Sequence, residues 1–416
     1  MPARRLAARW VVPVGRPPIQ HGALLLAPDG HVAAVGSDAA VPRPAGVPDE
    51  AFPDGILLPG LINTHTHLEL TGLDLGPPDA DFVTWIGRVR AIKDTRDTEA
   101  FLAAARAGLA DCFAAGVTTV GDTGDSGTVI RAMAEAGASG IAYQEVFGPH
   151  PSQREESLAG LRARMDGTAR YATGRVRLGL SPHAPYTVSG PLYREVAEWA
   201  RREGLPLAVH VAESRAESEL LLGCSGRFAE GWRGRGIPLP EEATCTPIEW
   251  LDRHGVLDER TLCIHAVQAS EGDVQRLARR RSAVAHCPLS NAAHGHGSAP
   301  LASFLRHGVR VGVGTDSVLS VSRLDLLAEA RAARSLAGLD IDAALALCTI
   351  GAARALGLEA EVGSLEAGKW GDCVVLRSQR AAGASPVEQV LESEPEDVIA
   401  TFVGGRDVYR AEPVRS

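Results

Sequence analysis

The amino-acid sequence predicts an α/β protein: a (β/α)8 barrel beside a small β-sandwich assembled from both ends of the chain. Three observations carry that expectation. From residue 61 onward, eight short apolar runs alternate with helical stretches, and buried strands joined by helices form a parallel sheet. Both ends of the chain instead show short strands separated by tight turns. The 416 residues, 45% hydrophobic and 22% charged, suffice for one large core and a smaller one. The expected division is a sandwich over 1–55 and 362–416, and a barrel over 56–361.

Near the N-terminus, "GALLLAPDGHVAAVG" reads as a hairpin turning at Pro28-Asp29-Gly30. Its counterparts at the other end are "VGSLEAGKWGDCVVLR" (362–377) and "VIATFVGGRDVYR" (398–410). The first barrel strand lies in "LLPGLINTHTHLEL" (57–70). "DADFVTWIGRVR" then reads as a short helix, and 99–115 as a longer one with Phe101, Ala105, Leu109 and Cys112 on one face. Next come "VTTVGD", a helix around 127–136, "GIAYQEVFG", a helix around 155–165, and "VRLGLSPHAP". A helix over 189–203, "LPLAVHVAES", "TLCIHAVQ", a helix near 272–280, "SAVAHCPLS" and "VRVGVGTDS" complete the series. The connection 214–260 is too long for a plain loop and reads as a lid or an interface element.

A net charge of -9 argues against a nucleic-acid partner, which selects a basic face. The opening "MPARRLAARWVVPVG" is too short and too broken by Pro13 for a secretory signal, and no run is long enough to span a membrane. Seven scattered cysteines without a CxxC pair point to reduced thiols in a cytoplasm.

The chemistry is concentrated at the strand ends. His65 and His67 flank Thr66, and residues two apart on a strand face the same way. Later strands end at His183, at His210 with Glu213 three residues on, at His265, at His286 and at Asp316. In a barrel these ends converge at one mouth. Neutral imidazoles plus a carboxylate suit zinc or another divalent transition metal. His294 and His296 repeat the His-x-His spacing in a glycine-rich loop, but no strand aligns them and no partners are expected to converge there.

Together, "HTHLE", "SPHAPYTVS", "HVAE", "IHAV", "HCPLSN" and "GTDS" resemble the amidohydrolase superfamily. The branch resembled holds the cytosine, guanine and S-adenosylhomocysteine deaminases and the chlorotriazine hydrolases. The resemblance implies a metal-dependent hydrolase of carbon–nitrogen bonds other than peptide bonds. His65, His67, His210 and Asp316 would hold one divalent ion, zinc or else iron. A single ion is implied because His183 stands where binuclear relatives place a carboxylated lysine. Glu213 would be the proton shuttle, His265 would contact the attacking water or the substrate, and Asp316 would also accept a hydrogen bond from that water. His183 would bind substrate. "HTHLEL" with "FVTW", and "YQEVFG", are most similar to the aminodeoxyfutalosine deaminases of menaquinone biosynthesis, with the S-adenosylhomocysteine deaminases as near neighbours. That implies a small-molecule substrate, an adenine nucleoside with a large 5′ group, and a homodimeric protein. Arg88 and Arg90 are candidates to hold a 5′ benzoate, with a solvated helix face as the alternative.

Further candidates keep two readings. Glu145 faces the pocket or neutralises an arginine behind it. Asn291 touches substrate or caps a turn. Trp85 and Phe82 cover the pocket or merely pack. Glu69 is placed to orient a metal ligand, a common use of carboxylates, and His286 to hold the strand-seven turn by hydrogen bonding. A chloride-removing hydrolase is disfavoured by Glu213, since chloride leaves without a proton and ammonia does not. A non-catalytic binding protein is disfavoured by the intact ligand set.

Overall fold

The computed structural model describes residues 2–78, 81–240, 244–378 and 383–412. Parts of three expected elements lie outside them: positions 79–80 of the short helix, 241–243 of the long connection, and 379–382 and 413–416 of the C-terminal segment. All eight expected barrel strands form. They are β1 (Leu61–Thr66), β2 (Val117–Gly124), β3 (Ser139–Val146), β4 (Val176–Pro182), β5 (Leu207–Val211), β6 (Thr261–His265), β7 (Ala283–His286) and β8 (Arg310–Val313). Each pairs with the next, and the pairs are parallel, as in β5–β6 where Leu207 to Val211 run beside Thr261 to His265.

The barrel shuts where β8 meets β1. Thr66 bridges Asp316 in parallel, and the Asp316 amide donates to the His65 carbonyl at 3.1 Å. Glycine makes that approach possible. A Cβ on Gly314 would sit 2.7 Å from the His65 nitrogen, and one on Gly312 would sit 2.3 Å from the Thr64 methyl. The seam therefore needs residues without a side chain.

Helices fall where the periodicity places them, at Thr98–Ala114, Val129–Ala136, Arg154–Thr168, Gly190–Glu203 and Glu271–Arg280. Their ends carry ordinary signals. Asp97 caps the first by accepting from the Ala100 amide, and Gly137 closes the second in the left-handed region. The short helix spans Phe82–Lys93, capped by Asp81, and buries Phe82 and Trp85.

The long connection holds helices at Arg215–Gly223, Gly226–Gly234 and Pro247–Arg253. It packs down on the barrel rim. Phe228 stacks on Tyr186 at 4.1 Å, and the Trp232 indole donates to the Tyr186 carbonyl at 3.0 Å.

Both ends of the described chain build one seven-stranded sheet. Its strands run in the order Arg406–Arg410, Val398–Val403, Cys373–Arg377, Asp49–Pro59, Arg4–Val11, Ile19–Leu26, Val32–Ser37. The sheet curls on itself. Flat strands four places apart would lie about 19 Å from one another, yet Arg4 reaches Asp407 at 2.6 Å. Leu6, Leu24, Leu57, Val375 and Phe402 share the core inside that curl.

A buried polar pin joins sheet and barrel. Asp372 accepts from Arg175 at 2.5 and 2.7 Å, from Ser139 at 3.1 Å and from the Gly404 amide at 2.7 Å. Removing one partner of a buried pair strands the other charge, so Asp372→Ala is expected to cost roughly 3–5 kcal/mol. Calorimetry checks this; a variant melting with the wild type would show that the pin is idle. Six of the seven cysteines are buried. Among the described residues no helix is long and apolar enough to cross a membrane.

Candidate active site

At the carboxyl mouth of the barrel, side chains from four strands meet. His65 is the last residue but one of β1 and is fully buried, and His67 follows one step beyond that strand. The Nε2 atoms of His65 and His67 each lie 3.6 Å from Asp316 Oδ1. His210 Nε2 lies 3.3 Å from His67 Nε2, and the two rings are stacked 11° from parallel. Donors sharing one tetrahedral ion at about 2.1 Å would be about 3.4 Å apart, which these separations fit.

Hydrogen bonding aims the nitrogens inward. His67 Nδ1 donates to the Thr123 carbonyl at 2.8 Å, which leaves the Nε2 lone pair for the centre. Neither ring nitrogen of His65 has a hydrogen-bond partner, nor does His210 Nδ1. Orphaned polar atoms in so dry a place call for a ligand. Burial pushes His65 down to about 4 and His210 well below its ordinary value, so both are neutral and able to ligate near pH 7. Asp316 stays ionised: burial opposes this, but the surrounding imidazoles hold its carboxyl well below the usual range. Its other oxygen accepts from Ser290 at 2.6 Å and Ser320 at 3.1 Å, so Oδ1 alone faces the histidines.

Beside this cluster sits Glu213, buried, with Oε1 3.6 Å from His265 Nε2. Burial alone would raise its carboxyl, but His265 and His296 bring it below the ordinary value. Asn291 is fully buried beside His265. Its side-chain oxygen accepts from His265 Nδ1 at 3.0 Å and orients that ring. The turns that present these groups are strained: Ala212, His265, Ala266 and Asp316 all have φ between 49° and 69°. Left-handed non-glycine residues cost roughly 1–3 kcal/mol each and cluster at functional sites. Glu217, which the sequence reading missed, holds one such turn by accepting from the Ala212 and Glu213 amides at 2.8 and 2.9 Å.

His183 lines the same mouth. Its Nδ1 donates to Thr187 at 2.8 Å, and its ring lies 4.9 Å from that of the half-exposed Phe147. Glu145 faces the pocket: Oε1 lies 4.0 Å from both His183 Nε2 and His210 Nδ1. Burial raises its carboxyl to about 8. Trp85 and Phe82 are buried and lie against His294 and His296.

Three expectations fail. Glu69 touches no histidine; it pairs with Lys93 at 2.7 Å and accepts from the Ser126 amide at 3.1 Å. It sits past the first strand, in a 3-10 turn over Leu68–Leu70 that buries its side chain between the residues after β2 and the short helix. His286 does not brace its turn through the ring, because both ring nitrogens lack partners and only its carbonyl accepts, from Gly314. Partners do converge on His294 and His296: His296 Nε2 lies 3.6 Å from Glu213, and His294 Nε2 lies 3.1 Å from the Ser320 hydroxyl. Nothing local in "NAAHGHGSAP" announces this, because the partners come from distant parts of the chain. Arg88 and Arg90 are exposed on the short helix, and Arg88 donates to the Leu75 carbonyl at 2.6 Å.

Comparison with known proteins places this arrangement. A 5-methylthioadenosine/S-adenosylhomocysteine deaminase from Moorella thermoacetica is 30% identical over 413 residues, covering 95% of this chain and 91% of the relative. An aminodeoxyfutalosine deaminase from Deinococcus radiodurans is 34% identical over 334 residues, covering 75% of this chain and 77% of the relative. The fold matches that of a zinc-bound adenosine deaminase from Xanthomonas campestris with a TM-score of 0.84, at 24% identity, over 97% of this chain and 92% of the other. The sequence pattern of the Amidohydrolase family runs through residues 56–408, and this chain belongs to that family.

Proposed function

We propose that this hydrolase removes ammonia from C6 of an adenine nucleoside with a 5′ substituent, with 6-aminodeoxyfutalosine as its best substrate. The observation that carries the reading is Glu213. It is a buried carboxylate outside the His/Asp cluster yet within 3.6 Å of an imidazole that faces the same mouth. Deamination needs such a group because the leaving amine must be protonated, and a halide would not need it. The names of the Moorella and Deinococcus relatives support the adenine nucleoside.

His65, His67, His210 and Asp316 would hold one divalent ion, and zinc is favoured by the zinc-bound Xanthomonas relative. Such an ion supplies Lewis acidity that brings the pKa of water from about 15.7 toward 7. Asp316 directs the attacking water through Oδ1. Glu213 takes the proton from that water, delivers it to the purine ring nitrogen, and then assists the departing ammonia. His265, held by Asn291 through Nδ1, contacts the attacking water and the oxygen that builds up charge at C6. His183 and Glu145 contact the nucleoside at the open side. The same reading makes the protein a cytoplasmic homodimer with a small-molecule substrate, acting in menaquinone biosynthesis.

The test is a substrate panel with ammonia and purine absorbance as readouts. Turnover is expected with 5′-modified adenosines, greatest for aminodeoxyfutalosine, and poor with atrazine, cytosine and guanine. Efficient turnover of guanine or a chlorotriazine, with none on adenine nucleosides, would sink the proposal.

A further inference from the structure

The loop after β7 carries a second imidazole to Glu213, and its construction is specific. His296 Nε2 lies 3.6 Å from Glu213 Oε1, the same separation as His265 Nε2 on that oxygen. That nitrogen is buried and has no hydrogen-bond partner. The backbone is clamped on both sides, because the His296 amide donates to the Asn291 carbonyl at 2.9 Å and its carbonyl accepts from Gln268 at 2.8 Å. Gly295 and Gly297 take φ of 67° and 98° around it, turns that a side chain would resist.

The ring itself is walled in. Phe82 meets it edge-on at 4.6 Å, and His294 stacks 5.4 Å away. His294 in turn meets Ser320, which donates to Asp316. Asn291 links both arms, with its side chain on His265 and its backbone on His296.

From this geometry we infer that His296 is a positioning residue for the proton shuttle: with His265 it brackets Oε1 of Glu213 and fixes the carboxylate's rotation. The inference rests on the assignment of Glu213 as shuttle. A carboxylate with a free torsion spends part of its time turned from the reacting atoms, so losing one bracket lowers turnover without weakening substrate binding. No new proton acceptor is required, since the proton still travels on Glu213.

The experiment uses the full chain loaded with zinc, in the variants His296→Ala, His296→Gln, Glu213→Gln and the His296→Ala/Glu213→Gln double. Loss of a supporting contact of this kind costs about 10–100-fold. His296→Ala is therefore expected to lower kcat at least about tenfold with KM little changed, and His296→Gln, whose amide nitrogen reaches the place of Nε2, to recover most of it. In the Glu213→Gln background His296→Ala should add nothing, because the two act as a unit. An equal loss in both backgrounds, or a rise in KM alone, overturns the inference. Crystal structures of the variants read the carboxylate without any substrate. Glu213 is expected to hold its place in His296→Gln and to turn in His296→Ala; an unmoved carboxylate in His296→Ala overturns the inference. If no adenosine is turned over by the wild type, the substrate reading falls while this structural arm still decides.

Discussion

Replacing His67 with alanine is expected to release the divalent ion and reduce turnover by several orders of magnitude, with the barrel still folded. His67 lies past the end of β1 and is partly open to the mouth, so its loss leaves the apolar core intact. The centre, however, loses a donor 3.3 Å from His210 and 3.6 Å from Asp316. With three protein donors left the ion is held weakly, and water returns toward its ordinary pKa near 15.7. His65→Ala acts on the same centre from a fully buried position, adding some loss of stability from the cavity. Elemental analysis beside circular dichroism separates the effects. Full metal occupancy in the His65/His67 double variant would contradict the assignment.

Glu213→Gln should behave in the opposite way toward the ion. The amide has nearly the shape of the carboxylate and can still meet His265, so metal content is expected to equal that of the wild type. It cannot accept and return a proton, and turnover should fall about 100-fold or more. Asp316→Asn is expected to damage both properties, since Asp316 Oδ1 faces two imidazoles directly. Near-normal turnover in Glu213→Gln would remove that residue from the mechanism.

The barrel was legible because its strands are buried on both faces and read as unbroken apolar runs. His65, His67, His210, His265 and Asp316 were legible for a related reason: each ends such a run, and a barrel brings all strand ends to one mouth. What escaped depends on long-range geometry. His296 sits in a loop without periodicity, and its partner Glu213 belongs to a different strand end. Glu217 reads as an ordinary polar helix residue, because its acceptors' partners are backbone amides that carry no sequence signature. Glu69 was misassigned since proximity to His67 in sequence says nothing of direction; Lys93, 24 residues on, claims it. The Arg175–Asp372 pin joins positions 197 residues apart.

The shared sheet also sets an order for events on the ribosome. Pro59 pairs with Cys373, about 300 residues further along, and translation at about 5–20 residues per second takes roughly 15–60 s to reach that partner. Throughout that interval the strand Asp49–Pro59 has its inner neighbour, Arg4–Val11, but its other edge stays open. An uncovered edge invites pairing with another nascent chain. Slow translation or overcrowded expression is therefore expected to aggregate this protein through its N-terminal strands, and co-expression of a holdase chaperone to rescue the yield.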